Sequence, residues 1–194
     1  MKSQADGPVR PIAEEACRCG AKNLSWRVHY QSEIEAESLM RIELSDEAMT
    51  RKLGKALAKS CPDAPFLVTL TGHLGAGKSH LARALLKKLG VTDAIPSPTY
   101  TLCETYAISP DLQVSHLDLY RLEDPEELEL FGFRDMLDGQ GLLIEWPERA
   151  GPLLPTPDLD VHLMWHDPGR ICALSAQTEK GDRWLTEMKA PKST

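Results

Sequence analysis

Eight consecutive residues carry the sharpest chemical signal in the chain: Gly72-His73-Leu74-Gly75-Ala76-Gly77-Lys78-Ser79. Two glycines flank four residues, and a lysine and a hydroxyl residue follow, which is the layout of a loop that cradles phosphate. The glycines let the backbone curl until its N–H groups converge on phosphate oxygens. A helix opening at the lysine adds its positive end. Lys78 is then placed to reach the β and γ phosphates of a nucleotide, and the Ser79 hydroxyl to ligate Mg²⁺. A plain glycine turn between a strand and a helix is the alternative, and it leaves the adjacency of Lys78 and Ser79 unexplained.

A nucleotide with Mg²⁺ needs acidic help, usually from the end of a buried strand beside the loop. Two acids qualify. Asp118 follows Val114-Ser115-His116-Leu117, and Glu145 follows Leu142-Leu143-Ile144. An acid at the carboxyl end of such a strand faces the crevice where open α/β sheets bind ligands. Either one holds the metal or orients the attacking water, unless it is only a helix cap or a surface acid. The two roles stay undivided. Ser97-Pro98-Thr99-Tyr100-Thr101 lies between the loop's helix and the next strand. A loop in that position carries a threonine to the metal or γ-phosphate in nucleotide switches, and Thr99 is the candidate. A proline turn with incidental hydroxyls is the competing account. Trp146, directly after Glu145, either adjoins the site or packs.

The elements that position these residues follow from periodicity. Asp46 and Glu47 open a helix whose apolar face is Met49, Leu53, Ala56 and Leu57, and Cys61-Pro62 ends it. Phe66–Leu70 reads as a buried strand. A helix is expected from Lys78 to Leu89, facing inward through Leu81, Leu85, Leu86 and Leu89, with Gly90 as its stop. Further strands are expected at Tyr100–Tyr106, Val114–Leu117 and Leu142–Ile144. Pro125 after Asp124, with Glu127, suggests a capping box. Leu159–Met164 and Ile171–Ala176 read as a late antiparallel hairpin joined by His166-Asp167-Pro168-Gly169, and Asp182–Lys189 as a closing helix. Alternating strands and helices imply an α/β sandwich with a mainly parallel central sheet and helices on both faces. Residues 1–39 lack a clear period, apart from the alternation of Trp26, Val28 and Tyr30. They are expected to be a flexible or non-native extension, before a single domain over 40–194 that starts at a second methionine, Met40.

Composition narrows the function classes. The chain has 194 residues, 42% hydrophobic and 26% charged, with a net charge of −7. That fits one globular domain and argues against a broad basic face that grips nucleic acid unaided. No run of ~18 apolar residues is present for a membrane-spanning helix. Five irregularly spaced cysteines suggest reduced thiols in a cytoplasmic protein rather than a disulfide framework, and Cys17-x-Cys19 lacks a second pair to complete a zinc site. His162 and His166 fall in a strand-like stretch and are a poor metal pair. The acidic run Glu123, Asp124, Glu126, Glu127 and Glu129 reads as a solvated helix face, with partner docking as the weaker alternative.

Taken in order, GHLGAGKS, SPTYTL, HLDLYRLEDPEELELFGFRD and LLIEWPERAGPLLP resemble the TsaE (YjeE) family over about Met40 to Ala176. The resemblance implies a P-loop NTPase-like domain that binds ATP and Mg²⁺ and hydrolyses ATP. It implies a role in forming N6-threonylcarbamoyladenosine at position 37 of tRNAs reading ANN codons. The implied partners are TsaD and TsaB, with tRNA met only through that complex, and the protein alone a monomer or weak oligomer. Carried over by position, Lys78, Asp118 and Glu145 are the catalytic set. Ser79, Glu145 and Asp118 hold the metal. Gly72, Leu74, Gly75, Ala76, Gly77, Lys78, Ser79 and Thr99 bind the nucleotide. Contacts from Glu47 and Arg170 are implied by the resemblance alone. The chain departs from the family at His73, where an acid is common, and at Ser79, where threonine is. The competing functions are a small-molecule or nucleoside kinase and a non-hydrolysing nucleotide switch. The scattered Arg121, Arg134, Arg149, Arg170 and Arg183 disfavour a kinase lid, and the lack of an Asn-Lys-x-Asp motif disfavours a guanine switch.

Overall fold

The computed structural model describes residues 28–30 and 39–189. The expected extension over 1–39 falls almost wholly outside them. What is described of it is strand β1 (Val28–Tyr30) and Leu39, which opens β2 (Leu39–Leu44); the two strands pair antiparallel.

Helix α1 (Glu47–Lys59) begins where the acids sit: the Asp46 carboxylate caps it by accepting from Met49 N–H at 2.8 Å. Its buried stripe is Thr50, Leu53, Gly54 and Leu57. Strand β3 (Phe66–Thr71) leads through the glycine loop into α2 (Lys78–Leu89). Then come β4 (Cys103–Ser109), β5 (Leu112–Asp118), the short helices α3 (Glu127–Leu130) and α4 (Phe133–Gly139), and β6 (Gly141–Glu145). Strands β7 (Leu159–His166) and β8 (Gly169–Ala176) pair antiparallel, and α5 (Glu179–Lys189) follows.

The sheet order is β1-β2-β8-β7-β3-β6-β5-β4. Parallel pairing is confined to the four central strands β7, β3, β6 and β5. All other pairings are antiparallel. The sheet is therefore mixed rather than mainly parallel, because β4 folds straight back on β5 while β2 and β8 extend the other flank.

Two cores flank the sheet, and the alternation of β3 divides its side chains between them. Phe66, Val68 and Leu70 face a core with Leu53 and Leu57 of α1, Leu81 and Leu85 of α2, and Trp184 of α5. Leu67 faces the opposite core with Leu117, Leu142, Ile144, Leu128 and Phe133. Among the described residues, no helix is long and apolar enough to cross a membrane.

Most strands run one or two residues beyond the expected bounds, and two boundaries shift further for a visible reason. Strand β4 starts at Cys103, not Tyr100, because the residues before it form a turn: Leu102 takes a left-handed φ of 65° and donates its N–H to Pro98 O at 2.7 Å. Helix α5 starts at Glu179, earlier than Asp182, because the Thr178 hydroxyl accepts from Gly181 N–H. The acidic run is solvent-exposed. The expected capping box forms in part: Glu127 Oε1 accepts from Asp124 N–H, but the Asp124 carboxylate accepts from Glu126 N–H instead of Glu127 N–H.

Candidate functional site

The carboxyl ends of β3, β5 and β6 and the N-terminus of α2 enclose a cleft of about 280 Å³. Gly72 and Gly77 make the loop's path possible. At Gly72 φ is +127°, and a Cβ there would stand 2.2 Å from the Leu163 carbonyl oxygen on β7. At Gly77 a left-handed conformation turns the chain into α2. No side chain caps that helix and its first turn holds no acid, so its positive end faces the cleft uncompensated.

Lys78 is buried, and its Nζ donates to the carbonyls of Gly72 (2.7 Å) and His73 (3.0 Å). The ammonium also lies 4.0 Å from the centre of the Trp146 ring. Burial lowers the Lys78 pKa below its ordinary 10.5, against the opposing pull of Glu145, Asp118 and Glu148.

The carboxylates stand side by side, because Asp118 and Glu145 are register partners on β5 and β6. Their attachments differ. Glu145 Oε2 accepts from Ser79 Oγ at 2.9 Å and its Oε1 lies 2.8 Å from His116 Nε2. Asp118 Oδ2 accepts from Thr99 Oγ1 at 2.6 Å and its Oδ1 from Tyr120 N–H at 3.1 Å. The backbone reinforces the second pair, since Asp118 N–H donates to Leu102 O at the end of the Thr99 loop.

The other sequence candidates divide. Leu74, Gly75 and Gly77 line the cleft, with Leu74 69% exposed; Gly72 and Ala76 are not part of its lining, and Ala76 is buried in the core. Glu47 reaches the rim from the start of α1, where it is exposed and 3.8 Å from Arg51. Arg170 arrives from β8. Its guanidinium stacks 4.6 Å from the Trp165 ring, and Nη2 is 3.5 Å from Gly75 O. His162 is taken up by Thr71, 2.7 Å away. Among the described residues, no three His, Cys, Asp or Glu side chains are grouped to hold a metal. Cys17 and Cys19 lie outside those residues.

Sequence reasoning gave no role to His116, Tyr120 or Trp165, and left Trp146 undecided. For His116 a signal existed: it is a polar residue in a buried strand, two before Asp118 and so on the same face. Trp146 packs its ring on Tyr120, 5.0 Å between centres, and holds a left-handed backbone (φ 58°, ψ 50°).

A polar cleft at the carboxyl ends of parallel strands, closed by a glycine loop and a helix N-terminus, marks an α/β protein with a candidate ligand site in the sheet's crevice. The profile of one family, described as "Threonylcarbamoyl adenosine biosynthesis protein TsaE", matches residues 44–171. The chain is 42% identical over 132 residues to the tRNA threonylcarbamoyladenosine biosynthesis protein TsaE of Haemophilus influenzae, covering 68% of this chain and 83% of that one. The protein of the same name from Rickettsia felis is 41% identical (68% and 77% covered), and that from Nostoc sp. 34% (71% and 85%). The crystal structure of YdiB from Bacillus subtilis shares the fold, with a TM-score of 0.64 at 22% identity, covering 81% of this chain and 97% of that one. The chain belongs to the TsaE family.

Proposed function

We propose that the protein is a P-loop NTPase-like, Mg²⁺-dependent ATPase that serves tRNA N6-threonylcarbamoyladenosine formation, acting with TsaD and TsaB and meeting tRNA only through them. Family membership supports the pathway. The observation that carries the chemistry is the Ser79–Glu145 hydrogen bond. It joins the loop hydroxyl to a strand-end acid 66 positions away at the mouth of the phosphate loop.

The donor set suits Mg²⁺. Ser79, Glu145, Asp118 and Thr99 offer only oxygen, the hard ligand this ion prefers. One or two carboxylates suffice, because Mg²⁺ takes its remaining ligands from phosphates and water. When bound, the ion neutralises charge on the β and γ phosphates. Ser79 and Glu145 are the residues that would hold it. Lys78 binds the phosphates beside it, and the N–H groups of the loop and of α2 complete the anion site. Asp118, held by Thr99 and Tyr120 N–H, orients the water that displaces ADP from the γ-phosphoryl group. Trp146 screens Lys78 from solvent, and Glu47 and Arg170 contact the nucleotide from the rim.

ATP turnover by the purified protein, alone and with TsaD–TsaB, tests this reading. Turnover should rise with the partners and vanish in Lys78→Ala. Turnover that survives the substitution would refute it. Phosphoryl transfer to a nucleoside would replace it with a kinase.

A further inference from the structure

His116 lies in the middle of β5 at 0% exposure, facing Glu104 of β4 and Leu143 of β6 in register. Its same-face neighbour on the strand, Val114, belongs to the apolar core. An imidazole is costly to bury there unless its N–H is used. Its Nε2 stands 2.8 Å from Glu145 Oε1, and its Nδ1 is buried with no partner among the described residues. A carboxylate only accepts, so Nε2 donates. That tautomer leaves Nδ1 a lone pair rather than an orphaned N–H.

The two oxygens of Glu145 are thereby assigned to different partners, Oε1 to the sheet and Oε2 to Ser79. Without the imidazole the carboxylate is free to rotate toward Lys78, on which it exerts the largest opposing charge. An ion pair there would withdraw both groups from the cleft. We propose that His116 is a positioning residue that fixes the Glu145 rotamer, keeps the Ser79–Glu145 pair open to a divalent cation, and so sets the affinity of the nucleotide site for Mg²⁺.

This inference rests on the Mg²⁺–nucleotide reading of the cleft, and the test separates the two. A fluorescent ATP analogue is titrated into the full chain with Mg²⁺ and with EDTA, for wild type, His116→Leu, His116→Gln and His116→Asn. Loss of such an outer-shell partner typically costs about 10- to 100-fold in metal affinity, and His116→Leu should weaken Mg²⁺ binding by that much. Binding in EDTA should stay within about twofold, because the loop and α2 are untouched. Glutamine places an amide N–H near the Nε2 position and should recover Mg²⁺ affinity to within about threefold; asparagine is one carbon too short and should not.

His116→Leu with wild-type Mg²⁺ affinity overturns the role. So does a glutamine variant no better than asparagine, and that comparison decides the matter if the leucine variant fails to fold. Wild-type binding indifferent to Mg²⁺ overturns the underlying reading as well, and is seen before any variant is made.

Discussion

Replacing Trp146 with glycine should leave the protein more stable than replacing it with alanine, the reverse of the usual order. Trp146 sits at φ 58°, ψ 50°, where an L side chain costs about 1–2 kcal/mol. Two contacts hold it there. The Lys78 ammonium 4.0 Å from the ring centre contributes about 1–2 kcal/mol at a buried lysine. The tilted pair with Tyr120 at 5.0 Å contributes about 0.5–1.5 kcal/mol. Alanine loses both contacts and keeps the strain, for a loss of about 2.5 kcal/mol. Glycine loses the same contacts but sheds the strain, and is left about 1 kcal/mol better than alanine. With a urea slope of about 2 kcal/mol per M, the unfolding midpoint falls by about 1.2 M in Trp146→Ala and about 0.7 M in Trp146→Gly. Urea denaturation followed by circular dichroism measures both. A glycine variant at or below the alanine midpoint would refute the argument that the ring holds a strained turn.

Three further outcomes follow from the same geometry. Burial lowers the Lys78 pKa from 10.5, so between the folded value and 10.5 the unfolded chain binds more protons and stability rises with pH. Lys78→Met removes that titration, so wild type should gain on it in urea midpoint as pH is raised through the window below 10.5; a gap moving the other way would show that burial does not dominate at Lys78. Thr99→Val removes the 2.6 Å bond to Asp118 and should lower kcat for ATP about tenfold or more, roughly 1.4 kcal/mol of barrier, with nucleotide affinity nearly unchanged and Thr99→Ser close to wild type; an equal loss of affinity would place Thr99 in binding instead. Trp184→Phe deletes the indole N–H that donates to Leu57 O at 2.9 Å and should destabilise by about 1–3 kcal/mol in thermal or urea melts. Nucleotide binding should not change in that variant, since α5 contributes nothing to the cleft lining.

What was legible in the chain was local. The glycine loop stands out because cradling phosphate would need fixed residue types at fixed spacing, and α1 and α2 because one apolar face repeats along each helix. Asp118 and Glu145 were singled out by their place at strand ends, where the structure also has them. Their partners were not, because pairing is a matter of register. Strands β5 and β6 lie side by side in parallel, which sets the two acids next to each other, and β3 beside β6 brings Ser79 to one of them. No local pattern encodes that neighbour order. The same holds for the sheet's flanks: β2 pairs with β8 across some 130 residues of sequence, so the antiparallel edge was invisible and the sheet looked more parallel than it is.

Trp146 was hidden for a different reason. Glycine is the usual marker of a left-handed turn, and here the turn is held by a tryptophan whose contacts outweigh its strain. His116 was hidden because a histidine within an apolar strand looks like core until the strand beside it is known. Once β6 is placed, the same residue becomes the only described donor to Glu145 Oε1, and the separate tethering of the two acids follows. Glu145 is tied to the glycine loop through Ser79, whereas Asp118 is tied to the Thr99 turn. A substitution that frees one acid should therefore leave the other in place, and the His116 and Thr99 variants should fail in different ways: the first in Mg²⁺ affinity, the second in turnover.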